Sequence, residues 1–348
     1  MTQTVSTKRD IAIRQGLAFI YQSAGEPASF ESYGSDLLCC FYCISTTSSD
    51  ADLRRLARSL GRKLARRWWQ QHTEVPLNAD ASDVADLVFG SDAAERLGVG
   101  NRAFKQQLRK SAGAFGVRDY LFFDPATERP PADVPFECSC GAPNPRGRKV
   151  CRQCRTPLSM MSPYWVWLNA LTIAYTGERH GVRLGASFAD VLKWLPAMRP
   201  YPSFQSQVVG SDYYWAICAV THVVYTLNNY SAYRLSPAWL PDEFAFLKEN
   251  LTRVIEMKDA ETLGEILDSL KSFGLSEKHP LMRRGLRYLL SCQNDDGSWG
   301  DVQAEDAYER YHSTRTAIDG LRDYAWRGER LSLEKLPPFL ALNEKSGP

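Results

Sequence analysis

Apolar residues recur at intervals of three and four along most of this chain, and stretches that alternate apolar and polar positions are few. That period lets a helix turn one face to a core, so the pattern predicts an all-α protein. The spacing predicts helices over 7–22, 35–46, 51–72, 80–90, 101–113, 159–177, 187–197, 211–230, 241–257, 259–273, 280–292 and 306–326. Tyr120-Leu121-Phe122-Phe123 departs from it, an aromatic run that predicts a short strand. Within 51–72, Leu53, Leu56, Ala57, Leu60, Leu64 and Trp68 form the apolar stripe while Arg54, Arg55, Arg58, Arg62 and Arg66 fall elsewhere. A solvated outer helix explains that basic face more simply than a membrane or nucleic-acid surface does.

The helical period breaks at Pro125, Pro130, Pro131 and Pro135, which mark the start of an insertion. Inside it, Cys138 and Cys140 form a C-x-C pair, followed after ten residues by Cys151 and Cys154 as C-x-x-C. Two short thiol pairs joined by a turn supply the tetrahedron that zinc prefers, without needing an apolar core. Gly141, Pro143, Asn144, Pro145 and Gly147 are the turn formers between them. With all four ligands from protein, the expected Zn2+ is structural, held in a small zinc ribbon. Arg146, Arg148, Lys149, Arg152 and Arg155 crowd the ribbon, which makes docking of a protein partner there a second reading; such residues are more often solvated surface than a nucleic-acid face.

Composition refines this picture modestly. The 348 residues are 44% hydrophobic, enough for a large buried core, and the formal charge of +2 points to no polyanionic partner for the chain as a whole. No apolar run approaches the roughly 20 residues of a membrane span, and the N-terminus lacks the apolar segment of a secretory signal, so a cytoplasmic location is expected. Nine cysteines, an odd count, speak against a disulfide framework. Cys40 and Cys43 do spell C-x-x-C, but Leu37, Leu38, Phe41 and Ile44 surround them, and burial as small apolar residues is the stronger reading.

The segment 280–326 carries the most recognisable text. Gln293, Asp296, Gly297, Ser298 and Trp299 form a tight turn between two helices, with Trp299 as an aromatic plug. They resemble the Gln…Asp-Gly-Ser-Trp repeat of squalene-hopene cyclases and other triterpene cyclases. Tyr311-His312-Ser313-Thr314, followed by Ala317, Gly320 and Leu321, resembles the Tyr-His-Thr…Gly-Leu segment of protein prenyltransferase beta subunits. Both families fold as an α/α toroid, an inner ring of helices within an outer ring. The resemblance implies a toroid built from 1–124 and 159–330, with the ribbon inserted at 125–158 and a tail at 331–348.

In such a toroid the helices 211–230, 259–273 and 306–326 belong to the inner ring. The first opens at Gly210-Ser211-Asp212, with Ser211 or Asp212 as its N-cap. His222 sits in the middle of that otherwise apolar helix. By comparison with the prenyltransferases, His312 matches the zinc-binding histidine, and Asp259-Ala260-Glu261 stand near the position of the Asp-Gly-Cys ligands, without the cysteine. Two histidines with Asp259, Glu261 and Glu265 make a harder donor set, suited to a second divalent metal such as iron, manganese or zinc with open positions. A lone histidine in such a helix is more often a satisfied core residue than a ligand, and first-turn carboxylates also serve to complement the helix dipole.

Tyr213, Tyr214, Trp215, Tyr225, Tyr308 and Tyr311 are aromatic candidates for a cavity wall. The Asp-x-Asp-Asp acid of the cyclases and an Asp-Asp-x-x-Asp diphosphate motif are missing, as are a phosphate-binding glycine loop, a Gly-x-Ser-x-Gly elbow and His-Glu-x-x-His. The expectation is a metal-dependent enzyme acting on a hydrophobic or specialised small molecule or peptide by transfer or oxidation, with His222, His312, Tyr311 and Tyr225 as catalytic candidates. Prenyltransferase-like or cyclase-like chemistry is one alternative, and a binding protein using the ribbon and the basic helix is another.

Overall fold

The computed structural model describes residues 2–204 and 211–332, with side chains from residue 8 onward; Gly210 and most of the expected tail lie outside the described residues. Thirteen α-helices are present among them: α1 (Thr2–Ser23), α2 (Pro27–Thr47), α3 (Ala51–Gln71), α4 (Ala81–Arg96), α5 (Arg102–Ala112), α6 (Val117–Leu121), α7 (Pro163–His180), α8 (Phe188–Leu192), α9 (Asp212–Leu227), α10 (Pro241–Met257), α11 (Ala260–Ser272), α12 (Pro280–Ser291) and α13 (Ala307–Leu321). A turn of 3-10 helix follows α8 at Leu195–Met198, so the single helix expected over 187–197 is broken in two. Isolated bridges replace strands, among them Ser48 with Tyr324 and Pro135 with Met160.

Packing runs from α2 to α4, α7, α9, α11 and α13, and α13 returns to α2. The intervening helices back this closed circuit: α1 against α13, α3 against α2, α5 against α4, α8 against α7, and α10 and α12 against α11. Apart from the short α6, which follows α5 on the outside, successive helices therefore alternate between the circuit and its outside. The amphipathic patterns follow, since α3 buries Leu53, Ala57, Gly61, Leu64, Ala65 and Trp68 on one face. Leu56 falls off that stripe and is 38% exposed, contrary to expectation. Three basic residues of the same helix are not merely solvated. Arg54 donates to the Ser48 and Ser49 carbonyls, Arg67 to those of Ala24 and Gly25, and Arg62 to that of Leu97, satisfying carbonyls near the ends of α2, α1 and α4.

The expected strand at Tyr120–Phe123 is a correction. Val117–Leu121 is helical, Asp119 caps its start by accepting from the Gly116 amide at 2.7 Å, and Phe122 leaves it in a left-handed conformation (φ 65°). Aromatic β-propensity decides little where no strand is at hand to pair with; Tyr120, Leu121 and Phe123 are buried all the same. Helix α2 starts earlier than expected, at Pro27, and contains non-helical backbone at Tyr33.

Helices α11 and α13 cross backbone against backbone, and the crossing depends on two glycines. A Cβ on Gly264 would lie 2.3 Å from the Thr316 carbonyl oxygen, and one on Gly320 would lie 2.9 Å from the Gly264 Cα. Backbone meets backbone there, which sets the carboxylates of α11 beside the basic residues of α13. Buried Lys271 then donates to the carbonyls of Gly320 (2.5 Å) and Arg322 (2.7 Å), capping α13. The turn at Gln293–Gly300 joins α12, which is capped at Cys292, to α13, which starts after its cap Asp306. Fully buried Trp299 donates to the Leu289 carbonyl at 2.8 Å. A Cβ on Gly16 of α1 would lie 2.8 Å from its ring. Gln293 reaches the Ala12 carbonyl at 2.9 Å. The turn thus fastens the first described helix to the last described one.

Candidate functional site

A cavity of about 230 Å³ opens inside the helical circuit, and all six of its helices contribute to the wall. His222 enters it from α9. Its Nδ1 lies 2.6 Å from the Cys218 carbonyl one turn back. A carbonyl only accepts, so Nδ1 carries the hydrogen and Nε2 holds the lone pair. Burial pushes the His222 imidazole down to about 4, so it is neutral at physiological pH. Among the described residues no protein group bonds its Nε2.

His312 enters from α13 and behaves in the opposite sense. Its Nδ1 lies 3.0 Å from Glu261 Oε1, and its ring stacks on Tyr308 at 5.3 Å. Burial works against its charge, yet the Glu261 carboxylate outweighs burial, and Asp36 and Glu265 add to it, raising the imidazole to about 9. Glu261 is correspondingly held below the carboxylate range by His312, against its own burial. One wall of the cavity therefore carries an imidazolium and another a neutral imidazole.

Glu265 faces both from α11. It accepts from Thr221 Oγ1 at 2.8 Å, and burial raises its carboxyl to about 7. Tyr225 lines the cavity and donates to the Glu265 backbone carbonyl at 3.3 Å. Three expected site residues do not line it: Glu261, which meets the site only through His312, Asp259 and Tyr311. Asp259 is the N-cap of α11, accepting from the Thr262 amide at 3.1 Å and its hydroxyl at 2.5 Å. Tyr311 is fully buried and stacked on Tyr33 at 5.2 Å, behind the wall. Of the other aromatic candidates Tyr308 lines the cavity, whereas the Tyr213 hydroxyl is turned to Asn250 and Tyr214 is buried. Ser211, not Asp212, caps α9.

Several lining residues were not foreseen. Asp36 on α2 pairs with Arg315 on α13. Burial raises the Asp36 carboxyl, but Arg315 and then His312 outweigh it and hold it below its usual range. Deeper in, Asp268 accepts from Ser231 Oγ at 3.0 Å. Burial, with the Asp319 charge beside it, lifts Asp268 to about 7. Arg322 pairs with Asp319 at 2.7 Å and donates to Thr47 and Ser48. After α9 the chain runs through Asn229, Tyr230 and Ser231, all left-handed (φ 54°, 51° and 63°). Successive non-glycine residues in that region are strained; here the Asn228 side chain holds the turn by accepting from the Ser231 amide at 2.7 Å. The turn presents Tyr230 and Ser231 to the cavity, and the Arg179 guanidinium lies over the Tyr230 ring at 4.9 Å. The Asn228-Asn229 pair was the available sequence signal, because asparagine tolerates left-handed backbone.

The thiols of α2 differ from the sequence pairing. Cys39 and Cys43 face the cavity with sulfurs 3.9 Å apart, while Cys40 is buried away from it and its thiol is pushed up by burial.

The four cysteines of the insertion come together. Their sulfurs all lie within 4.8 Å of one another and could hold a metal ion. Cys138 and Cys154 are 3.4 Å apart, and Cys140 and Cys151 3.6 Å. Among the described residues this is the one set of three or more His, Cys, Asp or Glu side chains so assembled; His222, His312, Glu261 and Glu265 do not form another. Around the thiols the insertion buries little beyond Ala142 and part of Leu158, apart from the main core. Arg146 is engaged by Glu128 and Asp133, while Arg148, Lys149, Arg152 and Arg155 make no ion pair among the described residues. No family model matches the chain, and neither a curated protein nor a solved structure matches it.

Proposed function

We propose that the protein is an enzyme of the α/α-toroid architecture whose active site is the central cavity, performing acid–base chemistry on a small polar molecule. The carrying observation is the pair of histidines in one cavity with opposite partners, His222 with Nδ1 on the Cys218 carbonyl and His312 with Nδ1 on the Glu261 carboxylate, environments that push His222 down to about 4 and His312 up to about 9. Separating two titratable groups in this way assigns one as proton acceptor and the other as donor. His222 offers the Nε2 lone pair, His312 an imidazolium oriented by Glu261, and Glu265, near 7, a group able to move a proton either way at neutral pH.

The cavity's size and lining favour the substrate class. About 230 Å³ lies below the roughly 300–1,000 Å³ of drug-sized ligand sites. Its wall carries Asp36, Glu265, Asp268, Asp319, His312, Arg315 and Arg322, which fits a small polar molecule better than an isoprenoid chain. For the four cysteines zinc is the proposed ion, in a closed structural site that leaves no position for substrate. The toroid assignment is supported by the closed helical circuit and by the resemblance at 293–321.

A panel of small amines, amino acids, hydroxy acids and aldehydes, followed by the imidazole resonances of His222 and His312, tests the reading. Members that bind are expected to shift both rings in the wild type and neither in Thr172→Trp, which fills the cavity. Binders that shift neither ring would move the function elsewhere on the molecule.

A further inference from the structure

Cys39 and Cys43 stand one helical turn apart on α2 with their sulfurs 3.9 Å from each other, both on the cavity wall. From α13, Arg315 brings Nη2 to 3.8 Å from the Cys39 sulfur while pairing with Asp36. In a regular helix the Cβ atoms of such a pair are about 5–6 Å apart, beyond the roughly 3.5–4.5 Å that a disulfide requires. The pair is therefore not arranged to close on itself. The sulfur contact allows either thiol to donate, and the Arg315 guanidinium, which donates to Cys39, favours the arrangement in which Cys43 keeps its S–H and Cys39 is the thiolate.

We infer that Cys39 is a nucleophile of the cavity, forming a covalent S–C bond with small soft electrophiles that enter it. This adds a covalent step to the site proposed above and rests on that cavity admitting small molecules. The sulfur pair forms the bond to carbon as the bond from that carbon to its leaving group breaks, and the leaving group departs with the bonding electrons. With iodoacetamide the product is the carboxamidomethyl thioether and iodide, and the thiolate has no proton to lose.

The charges around Cys39 set its reactivity. Asp36, Cys40 and Cys43 face it from its own helix, Arg315 from α13, Arg179 from α7 and Tyr230 from the turn after α9. The Cys43 S–H is the largest influence, and with the two arginines it overcomes burial and Asp36 to bring Cys39 down to about 7, while Cys43 is pushed up. The competing thiols are poorer nucleophiles. Burial raises Cys40 and Cys218, and Cys292 is raised to about 11.

The test is timed alkylation of the full, zinc-supplemented chain with iodoacetamide over roughly pH 5 to 9.5, with tandem mass spectrometry placing the label. Cys39 is expected to react more than about tenfold faster than Cys292 at neutral pH, with a rate midpoint near 7 that rises in Arg315→Gln and in Cys43→Ala. Label on Cys40 or Cys43 instead, a midpoint in the ordinary thiol range, or a Cys39 rate no faster than that of Cys292 overturns the inference. The wild-type profile decides even if a variant fails to fold. Unreactive Cys39 beside histidines titrating far apart removes the nucleophile alone; reactive Cys39 beside two ordinary histidines removes the acid–base reading alone.

Discussion

At the scale of the residue, the cavity is a set of ionisable groups whose neighbours decide their protonation. His312 and Glu261 make the sharpest case. The folded imidazole holds its proton to about 9, against 6.5 for the free group, so the folded state binds that proton more tightly. The stabilisation is fully present below 6.5 and is lost as pH rises through 9. Glu265 and Asp268, raised to about 7, act with the same sign because folding favours their protonated forms, so stability also falls as pH climbs to 7. Glu261, held low, contributes only in the acid range. Urea unfolding of Glu261→Gln should therefore lose most of the decline seen in the wild type between about pH 6.5 and 9, and an unchanged decline would show that His312 draws its charge from elsewhere. Little of this was legible in the sequence. His222, His312, Glu261 and Glu265 stood out by residue type and helix position, whereas nothing marked Asp36 and Arg315, whose pairing depends on the closure of the circuit that sets α2 beside α13.

At the scale of the element, helix periodicity located most of the fold, because an amphipathic face is written locally. Failures occurred where tertiary surroundings overrode a local signal, at Tyr120–Phe123 and at Leu56. The crossing of α11 and α13 is set by Gly264 and Gly320 and nothing larger fits. Gly264→Ala gains a little helix propensity but drives a methyl to 2.3 Å from the Thr316 carbonyl. A net loss of about 1–3 kcal/mol or more is expected, read by denaturant unfolding; a neutral result would mean that the two helices part without cost. The insertion shows the opposite economy. Its four thiols were legible from spacing alone, and its small core of Cys138, Ala142 and Cys151 leaves it little apolar burial, so that a metal ion held by those thiols would supply much of its order. A strong chelator under reducing conditions should speed amide exchange across 133–160 while leaving the far-ultraviolet signal of the helices nearly unchanged. Unchanged exchange in that segment would mean the insertion is ordered without metal.

At the scale of the whole molecule, the circuit α2–α4–α7–α9–α11–α13 encloses the site and the outer helices shield it. Trp299, lodged against Gly16, ties the two ends of the described chain together, so residues far apart in sequence share one wall: Asp36 from α2 meets Arg315 from α13. No helix among the described residues is long and apolar enough to cross a membrane. The 293–300 turn was readable because Gln293, Asp296, Gly297, Ser298 and Trp299 form a compact local signal. The cavity's balance of charge was not, since it depends on which faces of six helices converge. That convergence is what drives the two histidines apart. The most direct measurement is an NMR pH titration of the imidazole resonances in the intact protein, assigned with His222→Gln and His312→Gln. It should show His222 neutral until about 4 and His312 charged until about 9; two rings titrating together near 6.5 would contradict the account.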